Sequence, residues 1–535
     1  MSKRVFIGGA WPYANYNIHI GHLAALLPAD VIARYYRQHG DQVIYASGTD
    51  CHGTPITQRA LKEQVEPSEI AEKYHNSDVN DFQDLNFTYD SYGATYMDWH
   101  QKEVQDIFKN LYDNAFLYDK QVNQVYCEHC NKFLADREIG GTCPVCGADA
   151  RGDQCDTCLT AFDPQELKEK HCLICGGDTT LKPNHELVFS LSQFQHQLQD
   201  YFEENHGYWR ANAVKETAKY LEQGLPDRDA TRNLNWGIPV PFEGYEEKRI
   251  YVWFEAVLGY LTSGRQAAQN LGIDFDEFLR NSPDLETYYV HGKDNIPFHT
   301  VIFPGLLLAM GKDIQLPKHI ISSEYVTMNE EKMSKSKGNL ITVRELIQSF
   351  HSDSIRFFFL MNNPEKKDMN FNAEDLINTH NKILVGGFGN FVNRNLSFLK
   401  KKFDGVVPEG KVDPSIQELT ERLYDTIGGK IESGDIRSAV EEMIHYIQTA
   451  NKYYDNGKPW VLVKEDPSAF ADITATCLYI MANMSNLFAP VIPDGCLRLR
   501  EILKLPIQES WKPATINGSL TLGDCPVLYE RILNN

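Results

Sequence analysis

The chain has 535 residues, of which 42% are hydrophobic and 11% aromatic, and a formal net charge of −21. That length is too great for one compact core and implies two to four domains, and the composition excludes wholesale disorder. There is no apolar run of 18 residues and the start, MSKRVFIGGAW, has too short an apolar stretch for a signal peptide, so a cytoplasmic protein without a membrane span is expected. The acidic balance neither excludes an RNA partner nor supports one, because phosphate contacts need only a local basic surface.

The first hundred residues read as strand–helix units. Arg4–Ile7 is a predicted strand that ends at Gly8-Gly9, and a loop then leads to His19. Leu23, Leu27, Val31 and Tyr35 recur every four residues and predict a helix, with a kink or a fresh start at Pro28. Gln42–Ala46 is the second strand and runs out into Ser47-Gly48-Thr49-Asp50. A parallel sheet gathers its ligand groups at the carboxyl ends of its strands, which is where His19, His22 and Asp50 fall.

An insertion over 118–230 carries eight of the twelve cysteines. Strand-like segments resume at Arg249–Phe254 and Tyr288–His291, the latter running into Gly292-Lys293-Asp294-Asn295. After about residue 370 three helical stripes follow: Ile416, Leu419, Leu423 and Ile427; Val440, Met443, Ile444 and Ile447; and Ile473, Cys477, Met481, Met484 and Phe488. Each is most simply the core of a bundle, the last stopped by Pro490 and Pro493. The expected units are therefore 1–117 and 231–320 (two halves of one sheet domain), 118–230 (the insertion), 321–369 (a basic loop and the stretch after it) and 370–535 (a helical bundle).

Two segments carry nucleotide chemistry. In His19-Ile20-Gly21-His22 the histidines share one face of a helical turn, the glycine lets a flat base approach, and a strand-to-helix junction points backbone N–H groups at phosphates. Lys332-Met333-Ser334-Lys335-Ser336-Lys337-Gly338-Asn339 places three lysines among small hydroxyls, a pattern suited to charge building up on a departing pyrophosphate.

The cysteines form four pairs: Cys127/Cys130, Cys143/Cys146, Cys155/Cys158 and Cys172/Cys175. Each pair offers two thiolates from one tight turn, and two pairs complete a closed, structural Zn²⁺ site. Two sites can be assembled in three ways, and all-cysteine ligation leaves no position open for catalysis. Cys51, Cys477, Cys496 and Cys525 are scattered and read as buried free thiols.

The two nucleotide segments, in this order, resemble the signature of class I aminoacyl-tRNA synthetases. Ala10-Trp11-Pro12-Tyr13-Ala14-Asn15, Gly48-Thr49-Asp50-Cys51-His52-Gly53-Thr54-Pro55-Ile56, Val252-Trp253-Phe254-Glu255-Ala256 and Gly292-Lys293-Asp294-Asn295 with Phe298-His299 are similar to the methionyl-tRNA synthetase family, over essentially the whole chain. The resemblance implies a Rossmann-like, doubly wound α/β catalytic domain with a zinc-binding insertion, followed by an all-α anticodon-binding bundle. The implied reaction is activation of L-methionine by ATP, accompanied by Mg²⁺, then transfer to tRNA(Met), initiator tRNA included.

Carried over by motif, the catalytic set is His19, His22, Lys332 and Lys335. ATP would be held by His19, Gly21, His22, Gly292, Asp294, Val326 and Lys335. Methionine would meet Ala10, Trp11, Tyr13, Asp50, Trp253, Ala256, Tyr260, Asn295 and His299, with Asp50 on its ammonium. The family's nesting pairs Cys143/Cys146 with Cys155/Cys158 and Cys127/Cys130 with Cys172/Cys175, giving one or two zinc ions, two favoured. Asn390, Arg394 and Trp460 would read the CAU anticodon, and no appended domain follows the bundle, which favours a monomer. Trp11 stands where relatives often carry leucine or isoleucine, and Asn295 where they often carry isoleucine. Those departures motivate an alternative, a synthetase-like paralogue for another small apolar amino acid. A non-catalytic RNA-binding paralogue would show eroded signatures, and both are intact here.

Overall fold

A computed structural model describes the chain except residues 1, 136–137, 153–154, 156, 159–161, 163, 329–330, 333–339, 507–509, 517–519 and 534–535. Five parallel strands form the central sheet. Arg4–Gly9 (β1) lies between Leu285–Gly292 and Gln42–Thr49 (β2); His319–Ser323 flanks the former and Ser91–Ala94 (β3) the latter. Alternation along the strands sends Val5, Ile7, Val43 and Tyr45 to one face and Phe6, Ile44 and Ala46 to the other. Both faces are covered by helices, as a parallel sheet requires. The switch in strand order between β1 and Leu285–Gly292 opens a crevice at the carboxyl edge.

Helix α1 (Ile20–His39) crosses the first face in one piece, with Pro28 inside it. Of the kink or fresh start predicted there, no fresh start occurs. Proline has no N–H for the carbonyl one turn back, and an interior proline costs about 3 kcal/mol. That carbonyl belongs to Ala24, and the buried Asn363 Nδ2 donates to it at 2.8 Å.

The segment Arg249–Phe254 is also different from its predicted strand. Lys248–Ile250 is a short strand paired with Thr231–Asn233, and a helix, Val252–Leu271, begins two residues later. Ile250 and Phe254, two of the residues that suggested a strand, instead bury against the second sheet face, where packing overrides propensity.

The insertion is built on a long antiparallel hairpin, Leu117–Cys127 against Thr179–Phe189. A three-stranded sheet with Ile139–Thr142 in the middle caps its far end.

The C-terminal part contains helices Asn390–Phe403, Pro414–Glu432, Ile436–Gly457, Pro467–Leu487 and Pro493–Ile502. Pro467–Leu487 stops short of Pro490, whereas Pro493 is the first residue of the next helix, a position where its missing N–H costs nothing. The predicted stripes are buried at Ile416, Leu423, Ile427, Val440, Met443, Ile447, Cys477, Met481, Met484 and Phe488, and their core is continuous with the α1 face of the sheet. Arg356, with 0% exposure, ties that joint. It donates to Asp30 of α1 at 2.7 Å and to the carbonyls of Leu85, Pro490 and Val491. Of the four scattered cysteines, Cys51, Cys477 and Cys496 are buried as expected, while Cys525 is partly exposed. Among the described residues, no helix is long and apolar enough to cross a membrane.

Candidate active site

A cleft of about 780 Å³ opens at the carboxyl edge of the sheet. His19, Gly21 and His22 line one side; Ala10, Trp11, Tyr13, Asp50 and Trp253 line another; Gly292, Asp294, Asn295 and Val326 complete it.

His19 is the N-cap of α1 and His22 its third residue, and the rings stack at 3.9 Å. The Gly21 amide donates to His19 Nδ1 at 3.1 Å, and the His19 amide donates to His22 Nδ1 at 3.2 Å. The Ile20 amide donates to the Ile341 carbonyl. The helix amides expected to face phosphates are therefore taken by the motif itself and by the chain after the lysine segment. Each Nδ1 accepts, so a neutral ring carries its proton on Nε2. The backbone amides at the start of this helix are engaged within the fold rather than turned to the cleft.

Asp50 is 4% exposed and closes β2. Burial, then the Glu255 charge, push its carboxyl well above the usual range, opposed only by the His52 amide. Among the described residues no cation acts on it, so a ligand ammonium would supply a partner. The backbone around it is fixed by a bridge between Asp50 and Tyr13 and by the Tyr13 hydroxyl, which donates to the His52 carbonyl. The His52 ring meets the fully buried Glu255 at 2.8 Å.

Trp11 takes less of the cleft than its size suggests. A Cβ on Gly48 or Gly259 would lie 2.5 Å from the indole, and one on Gly93 at 3.5 Å, so glycines from β2, β3 and helix Val252–Leu271 form a slot for the ring. Trp253 stacks on Phe298 at 4.3 Å and is 37% exposed. Ala256, Tyr260 and His299 lie behind the lining rather than in it. His299 Nδ1 faces the Asn295 carbonyl at 2.8 Å and must donate there, so Nε2 accepts from the Tyr260 hydroxyl at 2.6 Å. Burial holds this histidine neutral, down at about 4.

Asp294 accepts from the Tyr325 hydroxyl, and the neighbouring Lys293 pairs with Glu324 at 2.5 Å. Glu324 and Tyr325 line the cleft and were missed in the sequence, although their place after strand His319–Ser323 is the signal that would have found them. Arg151, Arg232 and Ala135 also line it, and nothing in the linear spacing points to them. Lys332 lies in the short strand Glu331–Lys332, opposite Thr327. Lys335 lies outside the described residues.

A family model described as tRNA synthetases class I (M) matches residues 5–396. A second, described as the anticodon binding domain of methionyl tRNA ligase, matches residues 407–523. The chain belongs to the methionyl-tRNA synthetase family. It is 45% identical over 528 residues to methionine--tRNA ligase 1 of Alkaliphilus oremlandii (strain OhILAs), covering 99% of this chain and 97% of that one. It is 44% identical over 531 residues to methionine--tRNA ligase of Streptococcus pneumoniae (strain CGSP14), covering 99% and 96%. Its fold superposes on Mycobacterium tuberculosis methionyl-tRNA synthetase in complex with methionyl-adenylate with a TM-score of 0.81. That match has 23% identity and covers 99% of this chain and all of the other.

Two further features of the family can be placed on the chain. The cysteines form two four-sulfur groups, Cys127, Cys130, Cys172 and Cys175 in one and Cys143, Cys146, Cys155 and Cys158 in the other. Of the three possible assemblies, the fold selects the nested one. Cross-pair sulfur distances are 3.5 and 3.8 Å in the outer group and 3.8 and 3.6 Å in the inner. A tetrahedron with Zn–S bonds of about 2.3 Å has edges of about 3.8 Å, so both groups fit that ion. The Cys130 amide donates to Cys127 Sγ and lowers that thiol to about 7, toward the thiolate a metal needs.

At the far end, Arg394 lies 4.4 Å over the Tyr454 ring, which meets Trp460 at 5.8 Å. Asn390 sits one turn before Arg394 on the same helix. Trp460 follows a buried Pro459 but is itself 46% exposed, so it is not a core residue.

Proposed function

We propose that this chain is a methionine--tRNA ligase that forms methionyl-adenylate and passes the methionyl group to the 3′-terminal adenosine of tRNA(Met), initiator tRNA included. The observation that carries the reading is one cleft lined together by the His19–His22 turn, the cation-less buried Asp50 and the Trp253 side, in a chain of this family.

In the first step a methionine carboxylate oxygen bonds to the α-phosphorus of ATP, and the bond to pyrophosphate breaks. In the second a ribose 2′-hydroxyl of the terminal adenosine attacks the adenylate carbonyl carbon, and AMP leaves. No side-chain nucleophile is required; the chain orients the reactants and meets developing charge. His19 and His22 offer Nε2–H donors to the nucleotide, with Gly21 and Gly292 leaving room for it. Asp294, held by Tyr325, takes the ribose, and Val326 packs on the adenine. Lys332 and Lys335 meet the phosphates, with Mg²⁺ accompanying ATP. Asp50 holds the ammonium; Ala10, Tyr13 and Trp253 pack the thioether, with Ala256, Tyr260 and His299 supporting that wall from behind and Trp11 and Asn295 shaping the rim. The two four-cysteine groups would each hold one structural Zn²⁺, and Asn390, Arg394 and Trp460 would read the anticodon. The reading includes a cytoplasmic enzyme.

The test is amino-acid-dependent ATP–pyrophosphate exchange across the twenty amino acids. Exchange driven by methionine is expected. Exchange driven best by another amino acid, or by none, sinks the proposal.

A further inference from the structure

Helix Pro67–Asp84 carries Asp78, Asp81 and Asp84 on one side, three residues apart. None of them lines the cleft. Asp78 and Asp81 have 0% exposure, and the Asp84 side chain is about half exposed. Asp78 is buried near Ile18, one residue before His19, without a hydrogen bond from its carboxylate among the described residues. Arg344 reaches the same helix with both arms of its guanidinium, Nη2 to Asp81 at 2.5 Å and Nη1 to Asp84 at 2.6 Å.

Arg344 is the second residue of helix Val343–Ser349. That helix starts from a capping box: Thr342 Oγ1 accepts from the Glu345 amide at 3.3 Å, and the Glu345 carboxylate accepts from the Thr342 amide at 2.7 Å. Just before it, Ile341–Val343 pairs with Ile18–Ile20. The Val343 amide donates to the Ile18 carbonyl at 3.0 Å and the Ile20 amide to the Ile341 carbonyl at 3.1 Å. One acidic helix face therefore holds this pairing from the Thr342 side, through Arg344.

The pairing ends on His19, which caps α1 and lines the cleft, so a shift of Ile341–Val343 moves that turn with it. Small misplacements of a reacting group are costly, about 100-fold for an ångström.

We propose that Arg344, clamped by Asp81 and Asp84, is a positioning residue for adenylate formation: it fixes helix Val343–Ser349, and with it Ile341–Val343, against the His19 turn, so that the imidazoles of that turn keep their place in the cleft. This rests on the methionine-activating reading above. Arg344 does not line the cleft, and the backbone bonds of the pairing and the capping box form without its side chain, so a variant can keep these bonds and the fold while the helix loses its fixed placement. Lysine keeps the charge but not the planar fork that spans two carboxylates.

The experiment uses the full-length chain and compares the unmodified protein with R344A, R344K and D84N. Single-turnover adenylate formation, methionine Kd and thermal midpoint are measured for each. Adenylate formation about tenfold slower in R344A, severalfold slower in R344K and D84N, with methionine Kd within twofold, is the expected result. An unchanged rate in R344A overturns the proposal, and so does a loss of rate matched by an equal loss of methionine affinity and a fallen thermal midpoint, which marks a structural role. D84N alters a half-exposed carboxylate and decides the matter if R344A does not fold: an unchanged rate there overturns the clamp. Failure of the unmodified protein to use methionine removes the underlying reading; normal use with unaffected variants removes only this one.

Discussion

His19 and Thr342 face each other in an antiparallel bridge. The amides of Ile20 and Val343 close it on either side, at 3.1 and 3.0 Å. The imidazole turn and the chain that leaves the lysine-rich segment are thus one hydrogen-bonded unit of backbone, although they come from opposite ends of the sheet domain.

Lys335→Ala is expected to slow single-turnover methionyl-adenylate formation by about 100-fold or more, the scale of losing one charge-stabilising group in a water-poor site. Methionine Kd should change less than twofold, because Asp50 and the aromatic wall are untouched. Activation at the normal single-turnover rate would remove the role assigned to this lysine.

Zinc content separates one site from two. The chain as purified should hold two Zn²⁺ per molecule by elemental analysis, and Cys146→Ser should hold one. The cluster around the cysteines contains few apolar side chains, among them Val125, Leu134, Ile139, Ala150 and Leu167, too few to order it without metal. Stripping zinc with a chelator should make 128–178 sensitive to limited proteolysis while the sheet domain stays resistant. A stripped protein whose insertion remains protected contradicts the dependence on metal.

Trp460→Ala should reduce kcat/KM for tRNA charging by about 5- to 150-fold, the range for losing one base-stacking contact, and leave ATP–pyrophosphate exchange intact. Its 46% exposure makes the loss one of binding surface, not of core. Equal decline of both activities would show that the indole holds the bundle together.

The Asp30–Arg356 pair sets an acid limb of stability. Burial alone would raise the Asp30 carboxyl, but Arg34 and Arg356 outweigh it and hold it at about 2. Unfolded, the same carboxyl titrates near about 3.9. A depressed carboxyl stabilises the fold above its unfolded pKa, so the contribution is full above about pH 4 and is lost as pH falls through about 2. Urea midpoints measured from about pH 5 to about pH 2 should decline, and Asp30→Asn should flatten that decline. Arg356→Met, which leaves Asp30 with Arg34 alone and takes the Arg356 donors from the carbonyls of Leu85, Pro490 and Val491, should cost about 3–5 kcal/mol. An Asp30→Asn variant with the parent's acid slope would place the titration elsewhere.

Much of the site was legible from local spacing. Period-two and period-four patterns located the strands and helices that carry His19, Asp50 and Asp294, and strand ends pointed to the cleft. Glu324 and Tyr325 obey the same rule. Arg151 and Arg232 do not, because they reach the cleft from the insertion and from the short strand after it, through turns that no periodicity encodes.

Local sequence was enough to specify the alternation that makes a two-faced parallel sheet, the turn that sets two histidines on one face, and four cysteine pairs each able to offer two thiolates. These are short-range properties, set by neighbours a few residues apart. Which cysteine pairs join was left to the fold, because three assemblies satisfy the same spacing and the hairpin from Leu117 to Phe189 brings together the ends of one. Long-range packing let Pro28 stay inside a helix, since Asn363 takes the carbonyl that proline leaves without a donor. It made Val252 the start of a helix, seated Trp11 among three glycines, and turned the α1 amides inward onto imidazoles and Ile341. Each of those outcomes depends on a partner distant along the chain, and the free energy of such a contact exists only once the fold has brought the two together.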